Sequence, residues 1–198
     1  MTATVCIVDD DEAVRDSLAF YLRMQGIATR VWESAEAFLA DVPPAPPACL
    51  LLDIRMGGMN GLELFDTLIA RGSGLPVIFL TGHADVPMAV SALKKGAFDF
   101  IEKPYDETGI LQRLQAALEY SLQRQDLDAS RATVAARLKT LSERERQVMD
   151  LLLQGKMNKV IAADLGIAIR TVEMHRGRVL EKMGVRSAVE LAQLLAAK

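Results

Sequence analysis

Cysteine is scarce in this 198-residue chain: there are two, Cys6 and Cys49, each four residues before an aspartate, Asp10 and Asp53, that closes an apolar run. Both thiols are expected at similar depth in adjacent buried strands, as inert apolar groups rather than a redox pair. Aromatics are also few, 5% of residues, with Trp32 as the single tryptophan. That is too little to line the pocket of a sensor for a small apolar ligand. Although 51% of residues are hydrophobic, no run approaches the roughly 18 apolar residues of a membrane span. The first residues, MTATVCI, begin a strand instead of a basic-then-apolar leader. A soluble, cytoplasmic protein without a membrane partner is expected.

Net charge is small, −3, but unevenly placed. Residues 1–122 hold 9 Lys and Arg against 17 Asp and Glu, whereas residues 139–198 hold 11 against 7. An acidic front and a basic tail point to different partners, and the length suits two small domains.

In the front part, apolar runs at 4–8, 28–32, 48–53, 76–81 and 98–102 alternate with helical patterns at 12–25, 34–40, 60–70, 87–95 and 106–122. Five such repeats imply right-handed crossovers and a parallel sheet covered on both faces. Gly26 and Gly96 stand where helix C-caps belong, and Pro87 suits a helix start. The segment PPAPP at 43–47 reads as a stiff loop. Residues 123–138 are polar and alanine-rich, a linker that extends the preceding helix; Leu111, Leu118 and Leu122 hint at a seam that Gln125 and Asp128 break.

The chemistry sits at the strand ends. Asp9, Asp10 and Asp11 follow TVCIV, Asp53 closes CLLLD, Thr81 closes VIFLT, and Lys103 closes FDFIEK before Pro104. Open α/β sheets place their ligands at this edge. Close carboxylates repel unless a cation neutralises them, so the cluster implies a hard divalent ion, Mg²⁺. Phosphoryl transfer needs an in-line nucleophile and neutralised equatorial oxygens; Asp53 supplies the first, and the metal, Lys103 and the Thr81 hydroxyl the second. Asp11 and Glu12 read as ordinary helix-start acids.

The segments VDDD at 8–11, LLDIRM at 51–56, TGHADVPMAV at 81–90 and GAFDFIEKP at 96–104 resemble the receiver domain of bacterial two-component response regulators, more narrowly the FixJ branch. The resemblance covers about three-fifths of the chain. It implies phosphorylation of Asp53, metal binding by Asp10, Asp53 and the backbone carbonyl of Arg55 with indirect support from Asp9, contact of Lys103 with the phosphoryl group, and a cis Lys103–Pro104 bond. Thr81 and Phe100 match the hydroxyl and aromatic that move together on activation, and Val90, Lys94 and Phe98 lie in the stretch that forms the activated dimer. Two departures stand out: Gly57 where the family usually has proline, which predicts a looser loop, and Ala84 where close relatives often carry glycine.

The tail has its own motif. Ser142 and Glu145 form a capping box ahead of Val148, Leu151 and Leu152, and Gly155 ends that helix. Asn158 is placed to cap the next helix, with Ile161 and Leu165 inward and Gly166 closing it. A third helix, about 170–183, buries Val172, Val179 and Met183 and is closed by Gly184; a fourth begins at Ser187 and bears Leu191, Leu194 and Leu195. This is a helix-turn-helix arrangement.

The segments LSERERQVMDLLLQGKMNKVIAADLGI and RTVEMHR resemble the LuxR/GerE-type DNA-binding domain. The resemblance matches Glu173, Met174 and Gly177 to base-facing positions and Lys159, Arg170, Thr171, Arg176 and Arg178 to phosphate contacts. Ala168 and Ile169 replace the usual cap, and Gly177 interrupts the reading helix, each costing about 1 kcal/mol of helix stability. His175 reads as a satisfied, half-buried histidine.

The expected architecture is a doubly wound, five-stranded parallel α/β receiver at 1–122, a helical linker at 123–138, and an all-α helix-turn-helix domain at 139–198. The resemblance implies a transcription regulator rather than an enzyme, phosphorylated by a sensor histidine kinase, binding double-stranded DNA as a homodimer and acting with RNA polymerase. An aspartyl-phosphate hydrolase would carry a second aspartate where Arg55 stands.

Overall fold

The structure, a computed structural model, describes residues 3–42, 44–82 and 86–196, leaving aside the side chains of residues 86 and 107. Pro43 of the proline cluster and Ala84 therefore lie outside the described residues. The chain forms two compact units, Met1–Asp126 and Leu127–Lys198.

The first unit alternates strand and helix: β1 (Thr4–Val8), α1 (Glu12–Met24), β2 (Ala28–Trp32), α2 (Ala35–Ala40), β3 (Ala48–Asp53), α3 (Gly61–Ala70), β4 (Val77–Thr81), α4 (Val86–Lys94), β5 (Asp99–Glu102) and α5 (Glu107–Lys139). The strands pair in parallel in the order β2-β1-β3-β4-β5. Helices cover both faces, so β3 and β4 are buried along their whole length and their sequences are unbroken apolar runs rather than alternating ones. One face packs Val8, Leu50, Leu52 and Phe79 against α2 and α3 through Phe38, Leu64 and Leu68. The other packs Ile7, Leu51, Ile78 and Leu80 against α1 and α5 through Leu18, Leu22, Ile110 and Leu114.

Local signals set the helix starts. The Asp11 side chain accepts from Ala13 N–H at the head of α1, and Asn60 and Glu63 form a reciprocal capping box at the head of α3. Gly26 and Gly96 take φ of +75° and +104°, as helix ends require.

One expectation holds and another is corrected here. Cys6 and Cys49 do occupy neighbouring strands, but Cys6 enters the α2/α3 face and Cys49 the α1/α5 face. Cys6 pairs in register with Leu50 rather than Cys49, and side chains alternate along a strand, so the sheet lies between the thiols. Burial pushes the Cys6 thiol up to about 12 and Cys49 higher still, which leaves both inert. The three leucines read as a seam make none: Leu118 is buried and Leu111 packed in the sheet's own core, while Leu122 is exposed.

The second unit starts within the stretch expected as a linker. From Leu127 the last turns of α5 belong to it, with Val134 and Leu138 packed against Leu141, Met149 and Val179. Then follow α6 (Glu143–Leu153), α7 (Asn158–Leu165), α8 (Ile169–Met183) and α9 (Ala188–Ala196). A second cluster joins Val148 and Leu152 of α6 to Ile161 of α7 and Val172 of α8. Gly166 and Gly184 end α7 and α8 in the left-handed region. Asn158 does not cap α7: the cap position is Met157, without a side-chain bond, and Asn158 is the first helical residue.

Candidate functional site

Winding reverses between β1 and β3, and the C-terminal ends of those two strands carry Asp9, Asp10 and Asp53. Lys103, just past β5, reaches back so that its Nζ donates to Asp9 Oδ2 and to Asp53 Oδ1, each at 2.8 Å. Asp9 and Asp53 are 1% and 5% exposed, so one ammonium neutralises two buried carboxylates. Burial nevertheless raises the Asp53 carboxyl above its ordinary value, against the downward pull of Lys103, while neighbouring Asp9 adds to the rise. Burial works the other way on Lys103, but its bonds to Asp53 and Asp9 prevail and its pKa is raised.

Each of the three carboxylates also receives a backbone amide. Asp11 N–H donates to Asp9 Oδ1 at 3.0 Å, Arg55 N–H to Asp53 Oδ2 at 2.7 Å, and Gly57 N–H to Asp10 Oδ2 at 3.2 Å. Arg15 donates to the Asp9 carbonyl at 2.7 Å and secures the β1 end from α1. Thr81 is buried at the end of β4, beside Leu80, whose register partner is Asp53. Phe100 of β5 is half-buried, 6.1 Å between ring centroids from Phe79. The Lys103–Pro104 bond is cis, as the resemblance implies.

The loop from β3 to α3 is bonded to two acidic side chains. Besides the Gly57 bond, Met59 N–H donates to Glu36 Oε1 of α2 at 2.8 Å, which holds the Glu36 carboxyl below its ordinary value. Gly61 explains itself only here: a Cβ at that position would collide with the Asp53 carbonyl oxygen, so α3 starts against the strand end because residue 61 has no side chain.

The donor set is all oxygen: the carboxylates of Asp10 and Asp53 and the carbonyls of the β3–α3 loop. No group of three or more His, Cys, Asp or Glu side chains suited to a metal occurs among the described residues. Oxygen donors of this kind are the ligands a Mg²⁺ ion takes, so the chemistry of the donor set fits it.

In the second unit, α8 presents Arg170, Glu173, Met174, Gly177 and Arg178 on its exposed side, with Val172, Val179 and Met183 fully buried opposite. Lys159 of α7 is exposed and Thr171 half-buried. Arg176 is half-buried, and its Nη1 donates to Asn158 Oδ1 at 3.1 Å, joining α7 to α8. His175 is half-buried as expected, but its Nδ1 has no hydrogen-bond partner among the described residues. The last turn of α8 is fastened by Arg137, which donates to the Met183 carbonyl at 2.7 Å, and by Lys182, which donates to Thr140 O at 3.0 Å and Glu145 Oε2 at 2.7 Å. The capping box foretold the bond that the Ser142 amide donates to Glu145; nothing in its spacing foretold the ion pair with Lys182, 37 residues away.

Residues 5–115 match the response regulator receiver domain, and residues 139–195 the LuxR family of bacterial regulatory proteins. The C4-dicarboxylate transport transcriptional regulatory protein DctR of Rhodobacter capsulatus is 53% identical over 98% of this chain and 100% of its own. The chain belongs to the response regulator family. The transcriptional regulatory protein FixJ of Rhizobium meliloti is 48% identical to this response regulator, over 96% of this chain and 94% of its own. Among solved structures, the response regulator StyR matches with a TM-score of 0.91 at 38% identity, covering 100% of each chain. The structure of FixJ-N matches at 50% identity and a TM-score of 0.56, over 60% of this chain and 95% of its own. With a receiver and a LuxR-type helix-turn-helix, this is a two-component transcriptional response regulator. Among the described residues, no helix is long and apolar enough to cross a membrane.

Proposed function

We propose that this response regulator is a cytoplasmic switch in which a sensor histidine kinase phosphorylates Asp53, and the phosphorylated chain dimerises and binds specific DNA. The observation that carries the reading is the Lys103 ammonium shared between Asp9 and Asp53 at the switch point of the sheet. An Asp53 oxygen attacks the phosphorus, the bond to the kinase histidine nitrogen breaks, and the histidine keeps the electron pair. Asp10, Asp53 and the Arg55 carbonyl, with indirect support from Asp9, would hold Mg²⁺, which would supply neutralisation of the phosphoryl oxygens. Lys103 turns from the Asp53 carboxylate to the phosphoryl group and stays anchored on Asp9. Added negative charge draws the Thr81 hydroxyl toward the phosphoryl group, and Phe100 turns inward with it.

The receiver is assigned to residues 1–122 and the DNA-binding domain to 139–198, with the helical stretch 123–138 between them. Dimerisation is assigned to the surface with Val90 and Lys94, both exposed, and Phe98, whose ring lies 5.6 Å from Tyr120. RNA polymerase is the downstream partner. Selection of DNA from a random pool with and without a phosphodonor tests switching and output together; recovery of the same unenriched pool in both arms would overturn the reading.

The exposed residues of α7 and α8 separate two roles. Neutralising Lys159, Arg170 or Arg178 is expected to weaken binding alike at cognate and scrambled sites and to lower the salt slope by about one each, because each would contact a phosphate. Replacing Glu173 or Met174 instead alters the preferred base. Arg176→Ala is expected to lower the thermal midpoint as well as affinity, since it also removes the bond to Asn158. Titration of each variant against both sites over a range of salt reads these effects; a changed base preference in Arg178→Ala but not Met174→Ala would mean that α8 enters the groove with a different rotation.

A further inference from the structure

Lys103 serves Asp9 and Asp53 but has no bond to Asp10. Asp10 is exposed at the mouth of the same carboxylate group, and its Oδ2 is met by the backbone amide of Gly57 at 3.2 Å. The amide therefore occupies the part of a cation for the one carboxylate that lacks a lysine. Proline at residue 57 would have no N–H to offer. Alanine would keep the donor, and a Cβ at Gly57 meets nothing within 4 Å, nor does its φ fall in the left-handed region.

We propose that the Gly57 amide tunes the metal site by stabilising Asp10 in the metal-free state, so that this receiver binds Mg²⁺ more weakly than it would without that donor. A hydrogen bond to a bare carboxylate is stronger than one to a carboxylate whose charge is already shared with a dication. The bond thus favours the metal-free side of the equilibrium whether or not it survives binding. The β3–α3 loop, anchored at the other end by Glu36 on Met59, keeps the amide in place. The inference rests on the reading of Asp10 and Asp53 as metal ligands.

Calorimetric titration of the full chain with MgCl₂ tests it. Gly57→Pro is expected to bind Mg²⁺ about fivefold more tightly, the ratio that corresponds to one net hydrogen bond of about 1 kcal/mol, and Gly57→Ala to bind as the parent does. In the parent, the Gly57 amide proton is expected to move upfield as Mg²⁺ is added, a readout independent of any stiffening by proline. Equal affinity of the proline variant and the parent, an alanine variant that shifts as the proline one does, or an amide resonance that ignores Mg²⁺ would each overturn the proposal. A parent chain that binds no Mg²⁺ would overturn the assignment of the metal ligands themselves, and the proposal with it.

Discussion

Asp53→Asn is expected to abolish covalent labelling by a small-molecule phosphodonor with Mg²⁺, read as loss of the mass added by one phosphoryl group. The other two carboxylates of the site are poor substitutes. Asp9 is the more buried, with both oxygens engaged by Asp11 N–H and Lys103. Asp10 lies outside the reach of Lys103 and faces the loop. Asp53 alone ends a central strand, between the acids of β1 on one side and Thr81 of β4 on the other, with an ammonium on one oxygen. Asparagine keeps the size and one acceptor for Arg55 N–H but is too weak a nucleophile to form the acyl phosphate. Label that persists in the variant, mapped to Asp9 or Asp10, would move the nucleophile to another strand end.

Glu145→Ala is expected to cost the second unit about 1.5–3 kcal/mol, the range for hydrogen bonds to a charged group. Its carboxylate is buried, 3% exposed, and accepts from the Ser142 amide at 2.8 Å and from Lys182 at 2.7 Å. Truncation leaves a helix-start amide unpaired and frees the last turn of α8 from α6. The bond to Lys182, together with that to Ser142, holds the Glu145 pKa down to about 2 from an ordinary 4.5. A depressed carboxylate contributes stability in full above its unfolded value and loses it as pH falls through the folded one. The contribution is therefore complete above about pH 5 and gone near pH 2. Thermal unfolding followed by circular dichroism over that window should show a steeper acid loss for the parent than for Glu145→Gln. Identical pH profiles would mean that the ion pair contributes nothing to the unit.

Much of the receiver was legible because its signals are local. A strand buried on both faces must be apolar throughout, so CLLLD and VIFLT announced β3 and β4, and the polar residue that closes each run had to emerge at the sheet edge. Capping residues are equally local: Asp11, Asn60 and Ser142 bond within three residues of themselves. Asn158 shows the limit of that logic. It has the right side chain at nearly the right place, yet Arg176, 18 residues on, is the partner its oxygen takes.

The sequence alone determined the number and kind of elements in the receiver, the carboxylates, hydroxyl and lysine at its strand ends, and the buried stripe of α8, because periodicity and strand termini are properties of neighbours in the chain. Tertiary structure decided the rest. It put Cys6 and Cys49 on opposite faces, turned Leu111 and Leu118 of α5 into sheet core, required glycine at 61 beneath the Asp53 carbonyl, and bonded a glycine-rich loop to Asp10 and Glu36. It also joined Glu145 to Lys182 and Arg137 to the end of α8. In each case the partner lies far along the chain or across a sheet, and no pattern of adjacent residues specifies which distant carboxylate an amide or ammonium will meet.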